Sequence, residues 1–277
     1  MNLLPNSANL FDILKITFLN KPNRFYYIGL PKTGSTSLAN LLSSRKAVHE
    51  FMEQESLMKY LDYRQGNINT IDFKKFLLER EKRMNSNFDI TTCNFHYVDF
   101  LKQNENNKFI VSFRDVRSWI NSYLNFKNYY AQNITDEVAL QKNDVISFFM
   151  KKTVTNGFFT DSKNIQAHFD EIIEPLINYW SNGMETVLAD LPKNTLVLNF
   201  YKREENLKLI SDFTNIPIKK FQFEKWNDNV SVFKHDYFSN QSKKNLIIIE
   251  QTTNKINILL KKYGIEDIRN FEPFIHE

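Results

Sequence analysis

The feature that most constrains the fold is an apolar strand that runs directly into a glycine-bearing turn. Residues 24–30 read RFYYIGL, an aromatic and β-branched run that stops at Pro31. The turn reads PKTGST, and residues 36–44 after it carry leucines at helical spacing. Aromatic and β-branched runs bounded by turn residues predict buried strands. A strand, a glycine turn and a helix in this order predict the opening of a parallel α/β sheet.

The same patterns continue along the chain and predict one α/β domain. Further strands are predicted at residues 89–92, 108–113 and 195–200. Helices are predicted at residues 53–63, 71–83, 116–127, 204–214 and 242–262, with a short amphipathic helix at 10–19 and a helical insertion within 136–191. We therefore expect a central parallel sheet flanked by helices, in a single domain over residues 1–277. Its core is residues 24–218, and residues 219–277 complete it with a loop and a helix.

Composition excludes several classes of protein. The chain of 277 residues is 42% hydrophobic and 14% aromatic, which excludes disordered and fibrous proteins. Its one cysteine, Cys93, excludes an internal disulfide and multi-cysteine metal sites, and its histidines show no paired ligand spacing, so we expect no metal. A net charge of +4 favours anionic ligands without indicating nucleic-acid binding. No stretch approaches the ~18 uncharged apolar residues of a membrane span. We expect a cytoplasmic protein, and the many Asn, Lys, Ile and Phe residues indicate an AT-rich, bacterial genome.

The turn after the first strand has the skeleton of a phosphate-binding loop. Gly29 and Gly34 are five residues apart, as in G-x-x-x-x-G-K-[ST]. Backbone N–H groups of such a turn, with the N-terminus of the next helix, form a cradle for anions. Ser35 stands where an ATP-using loop has its lysine, whereas Lys32 comes two residues before the second glycine. The alternative interpretation is an ordinary Pro-Gly turn with a solvated lysine.

A second motif lies at the joint between the predicted strand at 108–113 and the helix after it. The sequence there reads KFIVSFRDVRSWINS, with Arg114 at the joint and Ser122 eight residues later. Arginine offers a planar fork of donors that suits phosphate, and serine adds one hydroxyl donor. The alternative is that Arg114 pairs with Asp115 while Ser122 bonds to its own helix backbone.

Together the two motifs resemble those of the sulfotransferases that use 3′-phosphoadenosine 5′-phosphosulfate as donor and release adenosine 3′,5′-bisphosphate. The resemblance covers residues 24–218 and implies a fold like that of the P-loop nucleotide triphosphatases. It implies that Lys32 stabilises the leaving phosphate and that Arg114 and Ser122 contact the 3′-phosphate. The rest of the loop would then hold the 5′-phosphate and the sulfuryl group through Thr33, Gly34, Ser35, Thr36 and Ser37. The family's cofactor-covering loop is matched best by residues 229–231, with Lys234 and His235 nearby.

Sulfuryl transfer also needs a base that takes the proton of the acceptor. Glu50 lies 18 residues after Lys32, and the carbohydrate and protein-tyrosine branches of the family carry a glutamate at about this interval. His49 is a competing base, because imidazole titrates closer to neutrality than a carboxylate. The small-molecule branch uses a histidine from a later segment, for which His96 is the candidate. Four aromatic residues after Arg114 either wall the acceptor pocket or belong to the core: Tyr123, Phe126, Tyr129 and Tyr130.

The sequence leaves the acceptor and two rival functions open. The expected acceptor is a small molecule, a glycan or a peptide with a hydroxyl or an amine, and no nucleic acid is expected as a partner. The first rival function is that of a P-loop kinase that uses ATP–Mg²⁺, which Ser35 disfavours because the kinase loop has lysine there. The second is that of a non-catalytic nucleotide-binding module, which His49 and Glu50 beside the loop disfavour.

Overall fold

The computed structural model describes residues 24–133, 159, 161–225, 235–239 and 243–277. Within these ranges six strands form one sheet. The strands are β1 (Phe25–Tyr27), β2 (Val48–His49), β3 (Phe88–Ile90), β4 (Lys108–Phe113), β5 (Thr195–Asn199) and β6 (Phe274–His276). The helices are α1 (Ser35–Leu41), α2 (Glu53–Arg64), α3 (Thr70–Met84), α4 (Val98–Leu101), α5 (Val116–Asn133), α6 (Ser162–Ala167), α7 (Phe169–Ala189), α8 (Arg203–Thr214) and α9 (Lys243–Leu260).

The sheet is mixed, in the order β2-β3-β1-β4-β5-β6. Strands β1 to β5 run parallel, with Tyr26 of β1 in register with Asp89 on one side and Phe109 on the other. Strand β6 pairs antiparallel with β5, so the prediction of a parallel sheet is confirmed for five strands and wrong for the sixth. The α/β class with flanking helices is confirmed. Strands β2 and β6 were not predicted, because two or three residues are too few to display a periodic pattern.

Several predicted boundaries differ from those observed. The helix predicted at 36–44 ends at Leu41 and gives way to a 3₁₀ turn at Ser43–Arg45. The strand predicted at 89–92 ends at Ile90, and a 3₁₀ turn follows at Thr92–Tyr97. Helix α5 extends six residues beyond the predicted 116–127. The predicted helix at 10–19 and residues 136–158 of the predicted insertion lie outside the described residues, whereas helices α6 and α7 confirm its second half.

Apolar residues cover both faces of the sheet, because successive side chains of a strand point to opposite sides. Tyr26 and Phe109 face the larger core, which α3, α5, α7 and α9 complete. Phe25 and Ile110 face the smaller core, which α1 and α8 complete. The two cores cover the two faces of one sheet. Polar residues therefore lie at the ends of the strands, which are called the amino edge, where strands begin, and the carboxyl edge, where they end. None of the helices in the described ranges is long and apolar enough to cross a membrane.

The chain order creates a crevice at the carboxyl edge of the sheet. After β1, the chain first builds β2 and β3 on one side of that strand and then crosses to β4 on its other side. In open α/β sheets, ligands bind outside the carboxyl ends of the strands where the chain changes side in this way. The loop of residues 29–36, hereafter the 29–36 loop, leaves β1 at this point.

Candidate functional site

The 29–36 loop is fixed from inside by a threonine and a tyrosine. The Thr33 hydroxyl is buried and donates to the carbonyl oxygen of Leu30 at 2.6 Å. Tyr27 Oη lies 2.6 Å from Thr33 Oγ1 and can donate to it. A Cβ on Gly29 would lie 2.6 Å from Tyr27 Oη, so a larger residue here would have to displace the buried Tyr27 side chain. The Thr33 hydroxyl therefore holds the loop in its conformation. The group of Thr33 that would make the predicted ligand contact is then its backbone N–H.

Two residues of the loop have left-handed backbones. Gly34 caps the N-terminus of α1 with φ 111°, which glycine adopts without steric cost. Lys32 has φ 64°, which is unfavourable for a residue with a Cβ. Long-range bonds hold this stretch: Arg114 Nη1 donates to the Lys32 carbonyl at 2.9 Å, and Trp119 Nε1 donates to the Pro31 carbonyl at 2.6 Å.

Arg114 follows β4, lies beside the 29–36 loop and is itself held on several sides. Its Nε donates to Ser118 Oγ at 2.8 Å, and its guanidinium carbon lies 4.2 Å from the ring centre of Phe200. Its carbonyl accepts a hydrogen bond from Trp180 Nε1 at 3.1 Å. The structure thus brings the two predicted cations, Lys32 and Arg114, together.

The second residue predicted to contact the 3′-phosphate lies farther along α5. Ser122 is half-buried and stands on the same face of the helix as Ser118, the residue to which Arg114 donates. Asp115 accepts the backbone N–H of Ser118 at 3.1 Å and the hydroxyl of Tyr201. Asp115 therefore caps the N-terminus of α5 and holds the Tyr201 side chain beside Arg114.

The ammonium group of Lys32 lies in an apolar, electropositive environment. Its Nζ is 4.1 Å from the ring centre of Phe126. Burial, and after it the charge of Arg114, lower the pKa of Lys32 to about 8, although the carboxylate of Glu50 opposes both effects. Lys32 therefore stays mostly protonated at neutral pH, and an anion nearby would stabilise its charge.

The end of β2 brings the two predicted bases to the first turn of α1. His49 Nε2 lies 3.3 Å from Ser35 Oγ and 3.2 Å from Thr36 Oγ1. Glu50 Oε1 lies 3.8 Å from the same imidazole nitrogen, and both side chains are partly exposed. Ser37, in the same turn, is half-buried. The two candidate bases, the hydroxyls of Ser35 and Thr36, and Lys32 thus lie around one end of the loop.

The third candidate base is in a different environment. The His96 ring stacks on Tyr60 with 5.5 Å between centroids and lies 3.7 Å from the Phe95 ring centre. Burial lowers the pKa of His96 to about 3, so its imidazole is a poor proton acceptor at neutral pH.

The predicted aromatic wall divides between core and site. Phe126 lies beside Lys32, whereas Tyr129 is exposed and the side chain of Tyr130 lies outside the described residues. Tyr123 is buried and stacks on Trp119 with 5.2 Å between centroids. Its hydroxyl has no hydrogen-bond partner in the described part of the chain.

The predicted covering loop lies mostly outside the described residues, including 229–231 and Lys234. His235 is described, and Asn125 binds its backbone twice, at 2.9 Å and 3.1 Å. One turn earlier on α5, Asn121 bonds to the Asp236 side chain and the Tyr237 backbone. The segment 235–239 is therefore attached to the helix that also carries Ser118 and Ser122.

Sequence reasoning missed the residues that support the loop. Trp119 and Trp180 each donate an indole N–H to a backbone carbonyl of the site, at Pro31 and at Arg114. A buried indole N–H usually needs such a partner, so tryptophans near a polar turn were an available signal. Ser118 and Phe200 carried no comparable signal, because only the folded chain brings them to Arg114.

The arrangement can bind an anion and move a proton. Two cationic side chains and the first turn of α1 lie together, with the carboxylate of Glu50 nearby. Among the described residues, no group of three or more His, Cys, Asp and Glu side chains is placed to hold a metal ion. Comparison of the chain with family models and with curated proteins finds no match, so a functional conclusion depends on this geometry.

Proposed function

We propose that the protein is a sulfotransferase that moves a sulfuryl group from 3′-phosphoadenosine 5′-phosphosulfate to a hydroxyl or an amine. One observation carries the proposal: Arg114 binds the backbone of Lys32 at 2.9 Å, while Glu50 lies close enough to raise the pKa of the same lysine. Two cations and one carboxylate therefore share the carboxyl edge of the sheet. The order of β1, the loop and α1 supports a fold of the P-loop type.

The cations fit the two ends of a bisphosphorylated nucleotide. Lys32 and the first turn of α1 suit the 5′ end, because helix N-termini and lysines favour phosphate oxygens. Arg114 suits the 3′-phosphate, with Ser118 or Ser122 adding a hydroxyl from α5. Its Nε and Nη1 donate to Ser118 and to the Lys32 carbonyl, so the guanidinium is held in a fixed orientation beside the loop. The stacked Phe200 keeps the guanidinium in place.

The donor supplies a sulfuryl group attached to a phosphate leaving group. As the acceptor oxygen or nitrogen bonds to sulfur, the bond from sulfur to the bridging phosphate oxygen breaks. Lys32 donates a hydrogen bond to that oxygen, where negative charge grows. Glu50 takes the proton of the acceptor, and His49, 3.8 Å from its carboxylate, is the substitute base.

A P-loop kinase is disfavoured by the position that its lysine would occupy. That position is Ser35, which is buried and bonded to His49 at 3.3 Å. A kinase would also need its Mg²⁺ to bridge the nucleotide phosphates. Binding experiments separate the two functions without knowledge of the acceptor.

The first test is a calorimetric titration of the full chain with adenosine 3′,5′-bisphosphate, with ATP–Mg²⁺ in parallel. We expect the bisphosphate to bind without metal and more tightly than ATP–Mg²⁺. A preference for ATP–Mg²⁺ would contradict the proposed sulfotransferase function and favour that of a kinase. Absence of binding by both nucleotides would remove both functions.

A matched pair of arginine variants sharpens this titration. Arg114→Ala should weaken bisphosphate binding on the order of 10- to 100-fold, the size of a lost charged hydrogen bond, and should weaken binding of adenosine 5′-monophosphate far less. Arg117, three residues later on α5, is half-exposed and faces Asp236, so Arg117→Ala is the control. Equal losses for both nucleotides in Arg114→Ala would contradict the 3′-phosphate role.

A further inference from the structure

The segment that carries the proposed base has an unfavourable backbone. Glu50 has φ 54° and Met52 has φ 49°, with Phe51 between them. A left-handed backbone is unfavourable for a residue with a Cβ, and neither glutamate nor methionine is among the residues that tolerate it. Such strain persists only where surrounding contacts impose it, and it concentrates at functional sites.

A buried arginine on α3 provides those contacts. Arg80 Nε and Nη2 both donate to the Phe51 carbonyl, at 3.2 Å and 2.9 Å. This carbonyl belongs to the residue between the two left-handed positions. Arg80, which is 29 residues away in sequence, thus binds the segment of residues 50–52 at its central residue.

The arginine is itself held rigidly. Its side chain is 1% exposed and forms two bonds to the Asp89 carboxylate of β3, at 2.5 Å and 3.1 Å. Nη2 also donates to Thr91 Oγ1 at 3.2 Å, and Thr91 donates to Asp89 at 2.5 Å. The guanidinium therefore connects β3 to the segment after the neighbouring strand β2.

Stability alone does not explain this arrangement. A buried ion pair often contributes little net stability, since desolvation offsets its attraction, and apolar residues of similar volume can replace it. An apolar side chain could not bind the Phe51 carbonyl. The arginine fixes the position of one backbone carbonyl, that of Phe51, beside the proposed base.

We propose that Arg80 is a positioning residue: by fixing the Phe51 carbonyl it keeps Glu50 in its left-handed conformation, with the carboxylate beside Lys32. This inference rests on the proposed function for the role of Glu50, but it concerns a geometry that can be measured without an acceptor. Lys32 reports on that geometry, because the Glu50 carboxylate raises its pKa.

The test is an NMR titration of Lys32, labelled with ¹³C at Cε, in the full chain. Glu50→Gln removes the carboxylate and should lower the pKa of Lys32. Arg80→Lys keeps the positive charge beside Asp89 but loses the two bonds to the Phe51 carbonyl. If Arg80 positions Glu50, the pKa of Lys32 falls in Arg80→Lys towards its value in Glu50→Gln. An unchanged pKa of Lys32 in Arg80→Lys overturns the proposal.

A second arginine that bonds to backbone carbonyls, and is partly buried, is the control. Arg24 donates to the Ser86 and Glu81 carbonyls at 3.0 Å and 3.1 Å, near the start of β1. Arg24→Lys should lower the melting temperature as Arg80→Lys does and leave the pKa of Lys32 unchanged. An equal fall of the Lys32 pKa in both variants also overturns the proposal, since a general loss of structure then explains it.

A milder variant keeps the test decisive if Arg80→Lys does not fold. Thr91→Val keeps the side-chain shape and removes one anchor of Arg80, so a smaller fall of the Lys32 pKa is expected, and no fall overturns the proposal. Calorimetry on the same proteins separates this inference from the proposed function. Absence of bisphosphate binding in the wild type refutes the sulfotransferase, whereas the pKa series alone decides the role of Arg80.

Discussion

The two edges of the sheet use left-handed backbones in different ways. In the described part of the chain, seven residues other than glycine have positive φ. Three lie directly before strands, namely Lys46, Asn85 and Asn194, and a fourth, Asn215, ends α8 at the same edge of the sheet. Asn215 lines a cavity of about 620 Å³ there together with Lys46 and Asn85. The other three lie where strands end: Lys32, Glu50 and Met52.

The residue types at the two edges differ. Three of the four residues at the amino edge are asparagine, which tolerates the left-handed region and often ends helices there. Asn85 and Asn215 are the C-caps of α3 and α8. At the carboxyl edge, the residues that have the left-handed conformation do not tolerate it well. Side chains distant in sequence impose it, because Arg114 binds the Lys32 carbonyl and Arg80 binds the Phe51 carbonyl. Turns that end helices are thus set locally, whereas the candidate site is set by tertiary contacts.

The largest expected effect compares two left-handed lysines. Lys32→Ala should slow donor turnover by at least about 10²–10³-fold, the usual cost of removing one donor to a developing charge. Lys46→Ala changes a lysine of similar φ at the opposite edge and should leave turnover unchanged. Turnover is followed as release of adenosine 3′,5′-bisphosphate from the donor. Equal rates in the two variants would remove the functional distinction between the edges.

The next effect is a pH dependence that belongs to Lys32 alone. Its pKa of about 8 in the free protein should rise when a phosphate binds beside it. Bisphosphate affinity should therefore be highest below pH 8 and fall above it, by up to about tenfold per pH unit, because binding then takes up a proton.

Calorimetry at pH 8.5 in two buffers of different ionisation enthalpy measures this uptake directly. Lys32→Arg, whose side chain stays charged throughout, is the control and should bind without proton uptake. The same uptake in this variant would assign the proton to another group.

The smallest effect compares stability at the two edges. Glu50→Gly relieves a strained backbone and should raise the free energy of unfolding by about 0.5–1 kcal/mol, after allowance for the greater freedom of the unfolded chain. Asn215→Gly should change it by only a few tenths of a kcal/mol, because asparagine already tolerates its conformation. Urea unfolding of both variants measures the difference. Equal changes would mean that the carboxyl edge carries no extra strain.

The part of this picture that could be predicted from sequence is the local part. Strand β4 is indicated by a mostly apolar run, KFIVSF, and the 29–36 loop is indicated by its two glycines. The hydrogen bond from Arg114 to Ser118 was not predictable in this way, because the motif links Arg114 and Ser122 only through the expected 3′-phosphate. Ser118 and Ser122 share a helix face, but a helix rises about 1.5 Å per residue, so Ser122 lies about 6 Å farther along. The contact of Ser122 with the 3′-phosphate stays a prediction.

Other contacts of the folded chain also gave no signal in the sequence. The Thr33 hydroxyl bonds to Tyr27 and to the Leu30 carbonyl, while the contact of Thr33 with the 5′-phosphate stays a prediction. Arg80 carried no signal, because a basic residue at helical spacing suggests a solvated surface. Its 1% exposure follows from Asp89, a charged residue within an apolar strand.

The indole contacts of the loop have an optical consequence. The chain has three tryptophans, and two of them, Trp119 and Trp180, donate their ring N–H to carbonyls of the loop and of Arg114. Indole emission is sensitive to the electric field and hydrogen bonding around the ring. The protein therefore carries two intrinsic fluorophores attached to the backbone of its candidate site, and a ligand that moves either carbonyl would alter the colour or the intensity of their light.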